Sequence, residues 1–379
     1  MSLYLHIPFC HSKCTYCGFY SVASSAMRSD WLEALCNEIV ARKDELGHEA
    51  IHNTLYFGGG TPSMLTPNEW HRIITCLEEN YNIAENAERT LEANPEDITI
   101  ENATLWRSLG FNRISIGVQS LNDSALKACN RRHSANGART AIENALKAGF
   151  QNIGVDFIIG LPNSDDNDIE LAANLLQKYP VTHVSLYILS IDEGSIMHKR
   201  VQQGLFTPLS DDEEAELYNK YCQIIKDAGF EHYEISNFAK PGYQSQHNTA
   251  YWEQKPYLGF GAAAHSYNGL DCRRWNIANI KSYSQAWANS TSNTESGYEQ
   301  EFLEDSDLYN ELIMTRLRTS SGIPLNILTS PKFNKFWESN QHSLQKYIAK
   351  GVAKIKNNHL ILTEEGWLIS DAIFTDLFY

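Results

Sequence analysis

The sequence predicts an α/β protein built on a parallel sheet, and three observations point there. Short β-rich runs recur through the first half of the chain, and each is followed by a longer helical pattern. The 379-residue chain is 42% hydrophobic and 20% charged, an ordinary globular composition at a size that buries a core without disulfides. Strands that alternate with helices need right-handed crossovers, so the sheet is parallel, either doubly wound or curved into a barrel.

The first strand is expected at residues 3–7. No basic leader or small-residue cleavage site precedes it, and no run approaches the roughly 18 apolar residues of a spanning helix, so a cytoplasmic protein is expected. Further strands are expected at 54–57, 90–93, 113–118, 153–159 and 183–188, making six βα units. Thr66-Pro67-Asn68-Glu69 sets a cap hydroxyl, a proline at the first helical position and a glutamate three residues after the cap, so a crossover helix starts there. Ser210 followed by Asp211, Asp212, Glu213 and Glu214 is a second capping box, whose helix runs to Gly229; its acids are a helix start, not a metal site.

Beyond about residue 205 the rhythm fails. Residues 231–239, 247–252 and 259–265 are rich in aromatics, glycine and histidine, which suits an irregular surface over the open end of a sheet. From Glu301 the pattern turns helical again, and 360–368 reads as a β-hairpin before a last short helix, a small winged-helix-like module. Three regions are therefore expected, 1–205, 206–295 and 296–379. Residues 301–379 carry ten acidic against eight basic residues and the whole chain has a net charge of −15, so no nucleic-acid partner is expected and the module reads as a lid or docking element.

Eight cysteines in a reducing compartment are expected as thiols. Cys36, Cys76, Cys129, Cys222 and Cys272 are scattered and read as buried packing. Cys10, Cys14 and Cys17 cluster on the loop after the first strand. Three thiolates so placed can each hold one iron of a [4Fe-4S] cubane, leaving the fourth iron open, and no fourth cysteine stands nearby because position 19 is Phe19. Phe9, Tyr16 and Phe19 would shield such a cluster. The competing reading is structural zinc, completed by His11 or His6.

C-x3-C-x2-C after a first strand resembles the signature of the radical S-adenosylmethionine (SAM) superfamily. His6-Ile7-Pro8-Phe9-Cys10, Gly58-Gly59-Gly60-Thr61-Pro62 and Gly117-Val118-Gln119-Ser120 are similar, more narrowly, to the branch holding the oxygen-independent coproporphyrinogen III dehydrogenases and the HemW haem chaperones. The resemblance spans essentially the whole chain. It implies a partial (β/α)6 barrel of the TIM type, a [4Fe-4S] cluster on Cys10, Cys14 and Cys17, and SAM as cofactor.

Glycines without side chains let backbone groups approach a ligand, and by resemblance Gly59, Gly60 and Thr61 hold the SAM amino group. Glu92, Gln119, Arg131 and Asp156 are polar groups near strand ends, where ligands of parallel α/β proteins gather. With Tyr4 and Tyr16 they match family positions that contact SAM, Arg131 suiting the carboxylate and Glu92 or Asp156 the ribose. His247 in His247-Asn248-Thr249-Ala250-Tyr251-Trp252 is either a satisfied core histidine or an axial haem ligand; the resemblance makes it the haem candidate, with His265 second.

Three departures separate this chain from the dehydrogenases: Phe19 in place of their last cysteine, only nine residues ahead of Cys10, and the H-N-x-x-Y-W pattern. They imply a haem chaperone that delivers haem to respiratory proteins, some of them membrane-associated, and the resemblance adds a possible homodimer. The alternative is a dehydrogenase that decarboxylates coproporphyrinogen propionates.

Overall fold

A computed structural model describes residues 1–24, 26–165, 167–288 and 297–379. Its centre is six parallel strands in chain order: β1 (Ser2–Ile7), β2 (Ile51–Gly59), β3 (Asn82–Ala93), β4 (Arg113–Gln119), β5 (Asn152–Ile159) and β6 (His183–Ile188). Each contains the expected run, and each is followed by at least one crossover helix. Side chains alternate across a strand. One set (Leu3, Leu5, Ile7, Leu55, Phe57, Ile114, Ile116, Val155, Val184) enters the main hydrophobic core with the helices. The opposite set carries Tyr4, Tyr56, Glu92, Ser115, Asp156 and Ser185, so the concave face of the partial barrel is polar.

The helix starts follow the caps. Thr66 and Glu69 form the reciprocal capping box of helix Pro67–Asn80, and Ser210 and Glu213 do the same for Asp211–Asp227, which is closed by Gly229 at φ +83°.

The expected irregular surface after residue 205 is instead regular. β7 (Glu231–Glu234) and β8 (Asn237–Ala239) extend the sheet beyond β6, with β8 antiparallel to it. At the other edge β9 (Tyr257–Phe260) lies parallel to β1, with Leu3 opposite Leu258, and β10 (His265–Tyr267), β11 (Cys272–Asn276) and β12 (Tyr298–Phe302) continue antiparallel. Four-residue strands leave too little periodicity to read locally, and β9 pairs with a strand about 250 residues away. The boundary expected at 295/296 lies outside the described residues.

A buried ionic cluster fastens this extension to helix Arg28–Ala41. The Arg42 guanidinium donates to Glu38 (2.7 Å), Glu45 (2.6 Å), the Gly259 carbonyl (2.7 Å) and the Ser266 hydroxyl (2.9 Å). Glu38, fully buried, accepts from Gly261 N–H, Asn276 and Tyr283.

The last module has its own core, including Tyr309, Phe336, Leu360, Trp367 and Phe374. Its sheet runs β13 (Ile323–Pro324), β15 (His359–Leu362), β14 (Ala353–Lys356). The hairpin lies earlier than expected: Asn357 and Asn358, both left-handed, turn β14 into β15, and Glu364–Leu368 is helical because Thr363 caps it. No helix among the described residues is long and apolar enough to cross a membrane.

Candidate functional site

Strand β1 delivers Cys10, Cys14 and Cys17 to the C-terminal edge of the sheet. The loop is tied at several points. Cys10 N–H donates to the Val22 carbonyl, Val22 N–H returns to Pro8, Thr15 N–H reaches the Cys129 carbonyl, and Met197 N–H donates to Thr15. The three thiols face one cavity of about 440 Å³. The Thr61 hydroxyl lies 3.4 Å from Cys10 Sγ, and Arg131 Nη1 lies 3.4 Å from Cys14 Sγ, so a donor and a cation already face two of the sulfurs.

The same cavity is lined by Tyr16, Gly59, Gly60, Thr61, Glu92, Gln119, Arg131 and Asp156, eight of the nine positions expected for SAM. Arg131 is held by Asn94 Oδ1 (2.9 Å) and the Gly117 carbonyl (2.8 Å), with its buried Nε unpartnered. Glu92 accepts from the Tyr56 hydroxyl at 2.6 Å; burial pushes its carboxyl up to about 7. Asp156 accepts from Ser115 (3.1 Å) and is likewise raised by burial. Gln119 turns into the cavity from a left-handed residue at φ +63°, and its amide would have to shift to admit a Cβ on Gly117, 2.8 Å away.

The glycine loop also has a packing reason. A Cβ on Gly59 would sit 2.5 Å from the His6 ring at φ +102°, and one on Gly60 would strike the Phe9 and Ile7 carbonyls. The missing side chains therefore let the loop pack on β1 and the start of the cysteine loop, while its other side forms the cavity wall.

Tyr4, the ninth position, does not line the cavity. Its hydroxyl pairs with His6 Nδ1 (3.2 Å), and His6 Nε2 pairs with the Tyr20 carbonyl (2.9 Å), so both ring nitrogens of His6 are engaged. His11 faces Asp97 at 3.7 Å. Among the described residues no three His, Cys, Asp or Glu side chains converge on a single ion, the arrangement structural zinc requires.

His247 is likewise apart from the cavity. It sits on helix Gln246–Trp252, buried, with Nδ1 on Thr54 (2.7 Å), Nε2 on the Tyr251 hydroxyl (2.9 Å) and its ring stacked on Tyr56. Burial pushes its pKa down to about 3, so it is neutral. In this conformation neither nitrogen can reach a haem iron. His265 is exposed on β10 and stacks on Trp275. Phe19, 69% exposed, and Tyr16 line the cavity, whereas Phe9 is buried against Trp31 and does not line it. Of the scattered thiols Cys36, Cys129 and Cys222 are buried, but Cys76 and Cys272 are only half-buried.

The radical SAM superfamily model matches residues 4–176, and the HemN C-terminal domain model matches residues 303–369. Similarity to curated relatives runs the full length. The Mycobacterium tuberculosis protein named "Heme chaperone HemW" is 31% identical, with 99% of this chain and 94% of the relative covered. The Bacillus subtilis protein of that name is 30% identical, with 98% of each covered. The chain belongs to the HemW family of radical SAM proteins. A solved structure of Escherichia coli coproporphyrinogen III oxidase (HemN) superposes with a TM-score of 0.84 over 99% of this HemW-family chain and 89% of its own, at 22% identity, and so shares the fold.

Membership in the radical SAM superfamily implies a [4Fe-4S] cluster and SAM. The donor set fits: three thiols on one loop face a cavity whose walls offer a guanidinium, two carboxylates and backbone groups. Several residues of this HemW-family site were not anticipated. Asn94 bridges Thr61 and Arg131, while Tyr56 and Ser115 hold the two carboxylates. Asn94 directly follows β3, and its strand-end position was a signal in the sequence; Tyr56 and Ser115 carried none, being ordinary strand residues.

Proposed function

We propose that this protein is a haem chaperone that holds a [4Fe-4S] cluster on Cys10, Cys14 and Cys17, binds SAM in the adjoining cavity, and carries haem to respiratory-chain proteins. The observation that carries this reading is identity of 30–31% sustained over 98–99% of the chain with relatives named as haem chaperones. A cluster held by three thiolates leaves one iron open to a cofactor's own donors.

The remaining roles belong to the chain. Arg131, with its unpartnered Nε, receives the SAM carboxylate. Glu92 and Asp156 accept from the ribose hydroxyls. Gly59, Gly60, Thr61, Gln119 and Tyr16 form the surrounding wall, and Tyr4 acts from beneath by orienting His6 against Gly59. His247 takes haem only if helix Gln246–Trp252 turns outward from Thr54 and the Tyr251 side chain, on the same helix, swings off the ring; His265 needs no such movement. Free thiols at the cluster loop support a reducing, cytoplasmic location. Support for a homodimer and for membrane-associated recipients comes from the resemblance alone.

The test uses anaerobically purified, cluster-loaded protein. Haem addition is expected to produce a stable absorption band, and coproporphyrinogen III with SAM is expected to show no decarboxylation. His247→Gln, which keeps the core polar, reports whether that ring is the ligand, with His265→Ala as its counterpart. Coproporphyrinogen turnover with SAM consumption would establish the dehydrogenase instead.

A further inference from the structure

Two of the scattered cysteines meet on the outer, helical side of the barrel. Cys36 is in the middle of helix Arg28–Ala41 and Cys76 near the end of helix Pro67–Asn80. The Cys76 thiol donates to the Cys36 carbonyl at 3.6 Å, which brings the two cysteine side chains together between the helices. Arg72, one turn before Cys76, pairs with the Glu33 carboxylate, which places its cation beside Cys36. A second pair, Arg28 to Glu69 at 2.6 Å, clamps the same two helices. Neither cysteine lines the cavity of the cluster loop.

We propose that Cys36 and Cys76 are a peroxide-reactive dithiol that closes to a disulfide, tying the first two crossover helices together behind the cysteine and glycine loops. Buried packing thiols need no cation, yet this pair has one. The Cys76 thiol and then Arg72 hold Cys36 below the usual thiol range, while Cys76 is pushed up by its bond to Cys36 and by burial. Cys36 is thus the nucleophile and Cys76 the resolving thiol. Cys36 is 9% exposed and Cys76 half-buried, an opening suited to a small oxidant.

The chemistry balances with hydrogen peroxide as oxidant. Cys36 thiolate attacks one peroxide oxygen, the O–O bond breaks, and hydroxide leaves and takes up a proton as water. Cys36 is then a sulfenic acid. The Cys76 sulfur gives up its proton and displaces the hydroxyl from Cys36 as a second water. Two thiols lose two electrons, and one peroxide becomes two waters. The reaction is independent of haem, so its outcome leaves the chaperone reading untouched.

Peptide mapping of the full-length protein tests it. Trypsin places Cys36 in peptide 29–42 and Cys76 in peptide 73–89, whereas Cys10 falls in 1–13 and Cys14 and Cys17 in 14–28. After brief treatment with stoichiometric peroxide and blocking with iodoacetamide, a linked 29–42/73–89 species is expected, two hydrogens lighter than the sum and split by dithiothreitol. Arg72→Met removes the tryptic cut before residue 73, so its linked species is 29–42/44–89, and formation of that species is expected to be several-fold slower; Cys76→Ser is expected to leave a Cys36 sulfenic acid that dimedone traps. Full alkylation of both peptides under peroxide that has oxidised peptide 14–28, over-oxidation of Cys36 without a link, or an unchanged rate in Arg72→Met would overturn the proposal.

Discussion

Glu92 carries a conflict between stability and binding in one side chain. Enclosed at the end of β3, its carboxyl is raised from an ordinary 4.5 to about 7, by burial first, with the Tyr56 hydrogen bond opposing and Asp156 adding. Between these values the folded protein keeps a proton that the unfolded chain has released, so the group weakens the fold as pH rises through that window. Glu92→Gln keeps an acceptor for Tyr56. It is expected to stabilise the cofactor-free protein by about 2–4 kcal/mol at pH 8 and by nothing at pH 4, measured by urea unfolding. The same variant is expected to weaken SAM binding roughly tenfold in calorimetry, because a neutral amide is a poorer acceptor for ribose hydroxyls than a carboxylate. A gain at pH 4 equal to that at pH 8 would contradict the charge argument. The residue type and strand-end position of Glu92 were legible in the sequence; its protonation was not, since that depends on Tyr56 and Asp156 closing around it.

Among the elements, those with local signals were readable. The two capping boxes fall where hydroxyl and glutamate are three residues apart, and the six main strands follow β-rich runs. The strands at the sheet edges were not, because β9 owes its place to β1 and to the Arg42–Glu38 cluster rather than to its own four residues. That cluster is testable at this scale. Arg42→Met leaves Glu38 buried without its cation, and the loss is expected to be about 3–5 kcal/mol by urea unfolding. Hydrogen exchange is expected to speed most in β9 to β11, whose Gly259, Ser266 and Asn276 are bound to that ion pair. Uniform faster exchange across the chain would show that the cluster does not act on those strands in particular.

For the whole molecule, buried imidazoles set the response to acid. His6, His52, His183, His232 and His247 are all lowered from 6.5, burial being the largest cause, His52 to about 4 and His247 to about 3. Below pH 6.5 the unfolded chain takes up protons that the folded chain refuses, so stability is full above that value and falls as pH drops toward 4. Each group contributes up to about 1.4 kcal/mol per pH unit. Glu92, raised to about 7, opposes them across that window, while Asp97, Asp156, Asp168 and Glu214 oppose them with smaller shifts. The urea midpoint of the cluster-free protein is therefore expected to fall between pH 7 and pH 5; a flat or rising midpoint would contradict it. By itself the sequence determined the βα order, the cysteine and glycine loops and the family, since these rest on residue type and short spacing. Tertiary structure alone decided that β9 joins β1, that His247 lies sealed between Thr54 and Tyr251, and that Cys36 faces Cys76. Apart from the His247–Tyr251 bond within one helix, these contacts join residues 40 to 255 positions apart, and no local pattern encodes which distant side chain fills the space beside another.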